Sequence, residues 1–285
     1  MDSLPISLSL GALFVFGSII GSFLNVVICR LPPRLIQSWR VESWEQLGEL
    51  EKAAQEEARQ APGIIWMRSR CSQCLRPLKW RHAIPILSHL RPRGRCGICR
   101  ARIPVRYLQV ESITAALWVS SGYVLGIGME LLLALIFVNC LIVLAFIDID
   151  HRFLPDQMVG PLLFIGLGIN TQEVFAPLTS SVWDAIAGYL GLRMIREIHC
   201  RFAGGEEGLG LGDCKLLAAI GAWIGWESLP AAVATAAMAS ILYCCAKMII
   251  FRAVSSRRIA FGPWLAGSGL CLLLWEHSPF PLALF

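Results

Sequence analysis

Three aspartates fall within nine positions, Asp148, Asp150 and Asp156, in the stretch "AFIDIDHRFLPD" (145–156). A fourth, Asp213, closes the glycine-rich stretch "GGEEGLGLGD" (204–213). Both groups adjoin uncharged runs: 131–147 stops just before Asp148, and 216–226 starts shortly after Asp213. An ionised acid is expensive to bury in apolar surroundings, so acids delivered by apolar runs call for a use. Two neighbouring carboxylates cannot both ionise cheaply and therefore share a proton. One then acts as base towards a water while the other acts as acid. Such a pair hydrolyses a peptide bond without metal or covalent intermediate. Spacing alone leaves other uses open: proton relay, cation coordination, or structural pairing with Lys215 or Arg152.

A second chemistry sits in "CSQCLRPLKWRHAIPILSHLRPRGRCGIC" (71–99). Cys71 and Cys74 form one CxxC and Cys96 and Cys99 another, 21 residues apart. Two such knuckles bring four thiolates to the corners of a tetrahedron, the arrangement structural zinc prefers. Paired disulfides are the poorer reading in a reducing compartment. His82 and His89 lie between the knuckles, but a four-cysteine set leaves them no vacancy. The other seven cysteines, Cys29, Cys140, Cys200, Cys214, Cys244, Cys245 and Cys271, sit in or against apolar runs and read as packing residues. Cys214 beside Asp213 invites a thiol nucleophile, for which no well-placed histidine base is evident.

The elements that must position these groups are membrane helices. The chain is 56% hydrophobic and only 16% charged, with a mean hydropathy of +0.62. A soluble chain carries roughly 25% charge. Uncharged runs recur at 3–29, 112–129, 131–147, 157–172, 216–226, 228–246 and 259–275, and a further run at 178–195 carries only Asp184 as an acid. Most approach the roughly 20 residues that cross a bilayer as a helix. The first lacks a basic leader and a clear small-residue cleavage site, and reads as a retained helix. The expectation is an all-α polytopic membrane protein with about eight transmembrane helices and a small cytoplasmic zinc-binding insert. The spans are placed near 7–28, 109–128, 131–148, 157–174, 181–197, 210–226, 229–250 and 260–278. The corresponding organisation is a first helix at 1–29, the insert at 30–108 and a seven-helix domain at 109–285 that carries the acids. Within the insert, "ESWEQLGELEKAAQEEARQ" (42–60) is rich in helix formers and predicts a solvated helix.

With these spans, all 25 Lys and Arg fall in or beside one set of alternate connections, sixteen of them between Arg30 and Arg106. The opposite set holds Asp2, Glu130, Glu173, Glu227 and Glu276 and no Lys or Arg. Positive charge stays in the cytoplasm, so both termini face outward and Asp148 and Asp213 arrive at one membrane depth on the cytoplasmic side. The net charge of +5 follows from this bias. It points to anionic membrane lipid, not nucleic acid.

These residues resemble the prepilin peptidases, the type 4 prepilin leader peptidase and N-methyltransferase family of type IV pilus and type II secretion systems. "GSFLNVVICRLP" (21–32) is similar to the family's opening stretch, and the paired CxxC with "RGRCGICRARIPVRYLQVE" (93–111) to its cytoplasmic insert. "DIDHRFLPD" (148–156) fits D-x5-[IL]-P-[DN], "GLGDCKLLAAIGAW" (210–223) fits GxGDxK, and "FGPWLA" (261–266) its last recurrent segment. The resemblance implies an aspartic peptidase that removes the basic leader of prepilins or pseudopilins after a glycine, at the cytoplasmic face of the bacterial inner membrane. The substrate would present a basic leader followed by an apolar N-terminal helix. The enzyme would then N-methylate the exposed residue with S-adenosyl-L-methionine; the sequence offers no glycine loop after a strand to hold that cofactor. The family's catalytic acids map onto Asp148 and Asp213, with Asp150 the competitor for the first role. Asp156 follows a proline and is expected to hydrogen-bond within its turn. Glu206 and Glu207 read as a solvated loop, or as a mouth attracting a basic leader. The rival classes are a metal-dependent membrane phosphotransferase, which wants more clustered carboxylates, an ion-coupled transporter, which wants acids near mid-bilayer and repeated halves, and a non-enzymatic assembly scaffold, which leaves acids delivered by two motifs to one depth unexplained.

Overall fold

The computed structural model describes residues 6–58, 74, 99, 101, 104–202, 209–225, 229–251 and 260–278. Among these, every regular element is a helix. In chain order they are α1 (Ile6–Gln46), α2 (Leu50–Ala58), α3 (Val105–Leu125), α4 (Met129–His151), α5 (Asp156–Ile169) with a 3₁₀ turn Asn170–Gln172, α6 (Leu178–Phe202), α7 (Leu211–Ile224), α8 (Leu229–Phe251) and α9 (Gly262–Glu276). A helix therefore occupies each of the eight positions expected to cross the membrane. Three are long and apolar enough to do so: Ser7–Gln46, Met129–His151 and Leu229–Ile250. α5, α7 and α9 have 14, 14 and 15 residues. At about 1.5 Å per residue they reach only ~21–23 Å, short of a hydrocarbon core of ~30 Å.

The chain divides into two compact units, residues 1–119 and 120–285, with the boundary inside α3. In the first unit, Gly17 and Gly21 lie four residues apart on one face of α1, the spacing that lets helix backbones approach closely. A Cβ at Gly17 would stand 2.9 Å from Ala115 Cα, and one at Gly21 2.8 Å from Glu111 Cα. Asn25 Nδ2 then donates to the Tyr107 carbonyl at 3.0 Å. Residues 21–25 and 107–111, from two of the stretches singled out in the sequence, thus meet in the packing of α1 on α3. α1 does not stop at residue 29; it continues through Pro32 and Pro33 to Gln46. The helix expected over 42–60 is realised in two pieces, the end of α1 and α2, broken at Gly48, whose φ of 75° is one that side-chain-bearing residues rarely adopt. α2 folds back so that Gln37 Nε2 donates to the Glu56 carbonyl at 2.6 Å.

The second unit is built around α4 and α7. Every residue of α7 from Leu216 to Ile224 is buried. Trp223 anchors this core: its ring stacks on Phe137 at 4.8 Å, and its Nε1 donates to the Leu162 carbonyl of α5 at 2.8 Å. Asn170, fully buried, ties the same end together. Its Nδ2 faces Ser181 Oγ and the carbonyls of Ala222 and Trp223 at 2.9, 3.0 and 3.2 Å. Its Oδ1 accepts from the amides of Phe175 and Ala176. The outer faces are apolar and exposed, as at Phe164, Trp183, Leu242 and Ile249, which suits a surface solvated by lipid.

Candidate active site

α4 carries Asp148 in its last turn and ends three residues later, at His151. Arg152 takes the left-handed conformation (φ 57°, ψ 38°), and its N–H returns to the Asp148 carbonyl at 2.9 Å. Phe153, Leu154 and Pro155 turn the chain, and α5 begins at Asp156 with Pro155 as its N-cap. Successive helical residues rotate by about 100°, so Asp148 and Asp150 face nearly opposite ways. Asp148 is turned inward and only 6% exposed, whereas Asp150 is exposed. The burial separates the two competitors.

Asp213 sits in the first turn of α7. Its Oδ2 accepts the Gly210 N–H at 3.2 Å, and its own N–H returns to the Gly210 carbonyl at 3.2 Å. The acid thus caps the helix that carries it. It is 8% exposed, and the Asp148 carboxylate lies within electrostatic reach.

Three contacts hold these segments together. Leu154 packs on Gly212, where a Cβ would come within 3.0 Å of the leucine Cβ. Lys215 Nζ reaches both oxygens of Asp156, at 2.7 and 2.6 Å. The carboxylate expected to bond within its own turn is instead held by a cation 59 positions away. Lys215 therefore pairs with Asp156, and the alternative in which it neutralises Asp148 or Asp213 is not realised. The third contact comes from "FGPWLA": the Gly262 N–H, at the start of α9, donates to Asp148 Oδ2 at 3.0 Å. The sequence singled out this segment but gave it no task, because nothing in it is titratable.

The resulting site holds two buried carboxylates from different helices, each with one oxygen fixed by a backbone amide. Two buried acids within electrostatic reach of each other cannot both ionise cheaply, so one can act as acid and the other as base towards a water or a substrate oxygen. A third buried acid, Asp184 of α6, belongs to a different place: its Oδ2 accepts from Ser180 Oγ at 3.0 Å, one turn back on the same helix. Of the seven cysteines expected to pack in apolar surroundings, Cys214 is buried. Cys140, Cys200 and Cys244 are half-buried, and Cys29, Cys245 and Cys271 are exposed, so core packing describes Cys214 alone of these seven. Cys71, Cys96, His82, His89, Glu206 and Glu207 lie outside the described residues. Of the four expected zinc ligands, Cys74 is half-buried and Cys99 exposed.

Residues 15–125 match the bacterial peptidase A24 N-terminal domain, and residues 135–245 match the type IV leader peptidase family. The chain is 40% identical to a prepilin leader peptidase/N-methyltransferase of Dickeya chrysanthemi, covering 93% of this chain and 94% of that protein. Proteins of the same name from Aeromonas hydrophila and Pseudomonas aeruginosa are 39% and 36% identical, covering 93% and 92% of this chain and 90% and 88% of theirs. No solved structure matches the chain. The second matched region takes in both Asp148 and Asp213, the relatives align along nearly their whole length, and the chain belongs to the type IV leader peptidase family.

Proposed function

We propose that this protein removes the basic leader of type IV prepilins or pseudopilins at the cytoplasmic membrane face and N-methylates the new N-terminus. Asp148 and Asp213 are the acid–base pair of the cleavage. The observation that carries this reading is their convergence: two buried acids, 65 positions apart in sequence, meet in a family whose curated members are named for both activities. The ionised member takes a proton from water as the oxygen attacks the scissile carbonyl. The protonated member gives its proton to the carbonyl oxygen. As the tetrahedral intermediate collapses, the proton gained from water passes to the departing amine, and one hydroxyl returns its proton to the other carboxylate, which restores the pair. The backbone amides of Gly262 and Gly210 keep the two carboxylates in register through these transfers.

The membrane setting is part of the proposal. Eight crossings, with the basic connections in the cytoplasm and both termini periplasmic, put the acids where a prepilin's basic leader meets its apolar helix. Cys71, Cys74, Cys96 and Cys99 would hold one structural Zn²⁺; the donor set is chemically that of a closed tetrahedral site. S-adenosyl-L-methionine supplies the methyl group. Incubating the purified protein with a full-length prepilin and S-adenosyl-L-methionine, and weighing the products, tests the function. The expected product lacks its leader and carries one methyl. An unprocessed prepilin under conditions that support an authentic relative would contradict the reading.

A further inference from the structure

α9 enters the site with an amide that has no partner inside its own helix. A helix start leaves its first N–H groups without intrahelical acceptors. Here Pro263 has no N–H at all, and the amides of Trp264 and Leu265 both return to the Phe261 carbonyl at 3.1 Å. Gly262 is the donor left over, and it is buried, where an unpaired N–H would be costly. Asp148 Oδ2 takes it at 3.0 Å, across 114 positions of sequence.

Gly262 is also glycine for an unusual reason. Its φ is not among the positive values, which occur at Gly48, Gly126 and Gly225, so the backbone does not demand the residue. Space does: a Cβ at this position would stand 2.6 Å from Asp148 Oδ2, 3.1 Å from Cγ and 3.4 Å from Cβ, and these three Asp148 atoms are its nearest neighbours. The obstacle is the free end of a side chain. A methyl here could be accommodated by turning the carboxylate away, at little expense to the fold but with the carboxylate lost from its position.

We infer that Gly262 is a positioning residue for the peptidase reaction, whose amide fixes the Asp148 carboxylate and whose missing side chain makes room for it. The inference rests on the role proposed for Asp148, and the experiment separates the two. Gly262→Ala is compared with Gly267→Ala, at an exposed position of the same helix where a Cβ meets nothing within 4 Å. Gly262→Ala should lower kcat for leader removal by about 100-fold, the scale expected for an ångström of misplacement. KM and methylation of a pre-cleaved pilin should stay near the parent values. Gly267→Ala should behave as the parent. Added to Asp148→Ala, where the obstructing carboxylate is gone, Gly262→Ala should not lower the melting temperature further. If Gly262→Ala itself fails to fold, this double variant decides: recovery supports the carboxylate as the obstacle, and failure to fold overturns the inference. Parent-like cleavage by Gly262→Ala alongside an inactive Asp148→Asn overturns the inference alone. An active Asp148→Asn overturns the role of Asp148 itself.

Discussion

Replacing Asn170 with Ala tests whether the frame that aims α7 is held by one buried amide. The side chain gives its Nδ2 hydrogens to Ser181 Oγ and the carbonyls of Ala222 and Trp223, and accepts two backbone amides, those of Phe175 and Ala176. Two hydrogens serve three acceptors, so one bond is shared. Each bond contributes about 1 kcal/mol net, and each buried backbone group left unpaired costs about 1–3 kcal/mol. With partial relaxation the loss comes to roughly 3–5 kcal/mol. For a unit of this size that corresponds to a fall in Tm of about 10 °C. Asn170→Asp keeps the acceptor for the two amides but turns an oxygen towards three acceptors, so it should be no milder. Thermal unfolding in detergent provides the measurement, with leader cleavage assayed well below the transition. Cleavage by the folded fraction should remain close to the parent, because Asn170 touches neither acid. A Tm shift under about 2 °C would refute the reasoning, since a five-bond buried hub cannot be removed that cheaply.

Other outcomes follow from the same observations. Freshly purified, unchelated protein should contain one zinc per chain, and Cys71→Ser or Cys99→Ser should lose it and lower activity indirectly; elemental analysis finding none would remove the metal from the account. A reporter fused after residue 60 should be cytoplasmic and one fused after Phe285 periplasmic, while a cytoplasmic C-terminus would mean one crossing too many or too few. The Lys215–Asp156 pair is partly exposed, with side-chain exposures of 40% and 67%, so Asp156→Asn should cost at most about 1 kcal/mol and leave most cleavage intact. A dead Asp156→Asn enzyme would make that acid part of the chemistry.

The helices were legible because apolar runs bounded by charge, glycine and proline recur at membrane length. Their ends were less so. The first helix is expected to end by residue 29, yet α1 runs on through Pro32 and Pro33 to Gln46, where the fold of α2 back onto Gln37 and Arg40 supports the continuation. The short α7 stops at Gly225, with φ 82°, and Arg152 in the left-handed region ends α4 ahead of α5. Asp148 and Asp213 could be named from spacing and motif, while the burial that separates Asp148 from Asp150 needs the neighbouring elements. The partner of Asp156 and the donor to Asp148 come from 59 and 114 positions away. No local pattern encodes such distances; a buried glycine with ordinary dihedrals carries no signal until the carboxylate beside it is seen.

The claim that Asp148 and Asp213 act as one catalytic unit is tested most directly by Asp148→Asn, Asp213→Asn and the double variant on a single prepilin, with cleavage read by product mass. Asn keeps the shape of the side chain but cannot exchange the proton that activates water. Each single substitution should cut leader removal by on the order of 10³-fold or more, and the double should be little worse, because members of a catalytic unit are not additive. Asp213→Asn should still methylate a pre-cleaved pilin with a free N-terminus, since methyl transfer requires no water-splitting pair. Near-normal leader removal by Asp148→Asn, together with an inactive Asp150→Asn, would contradict the account.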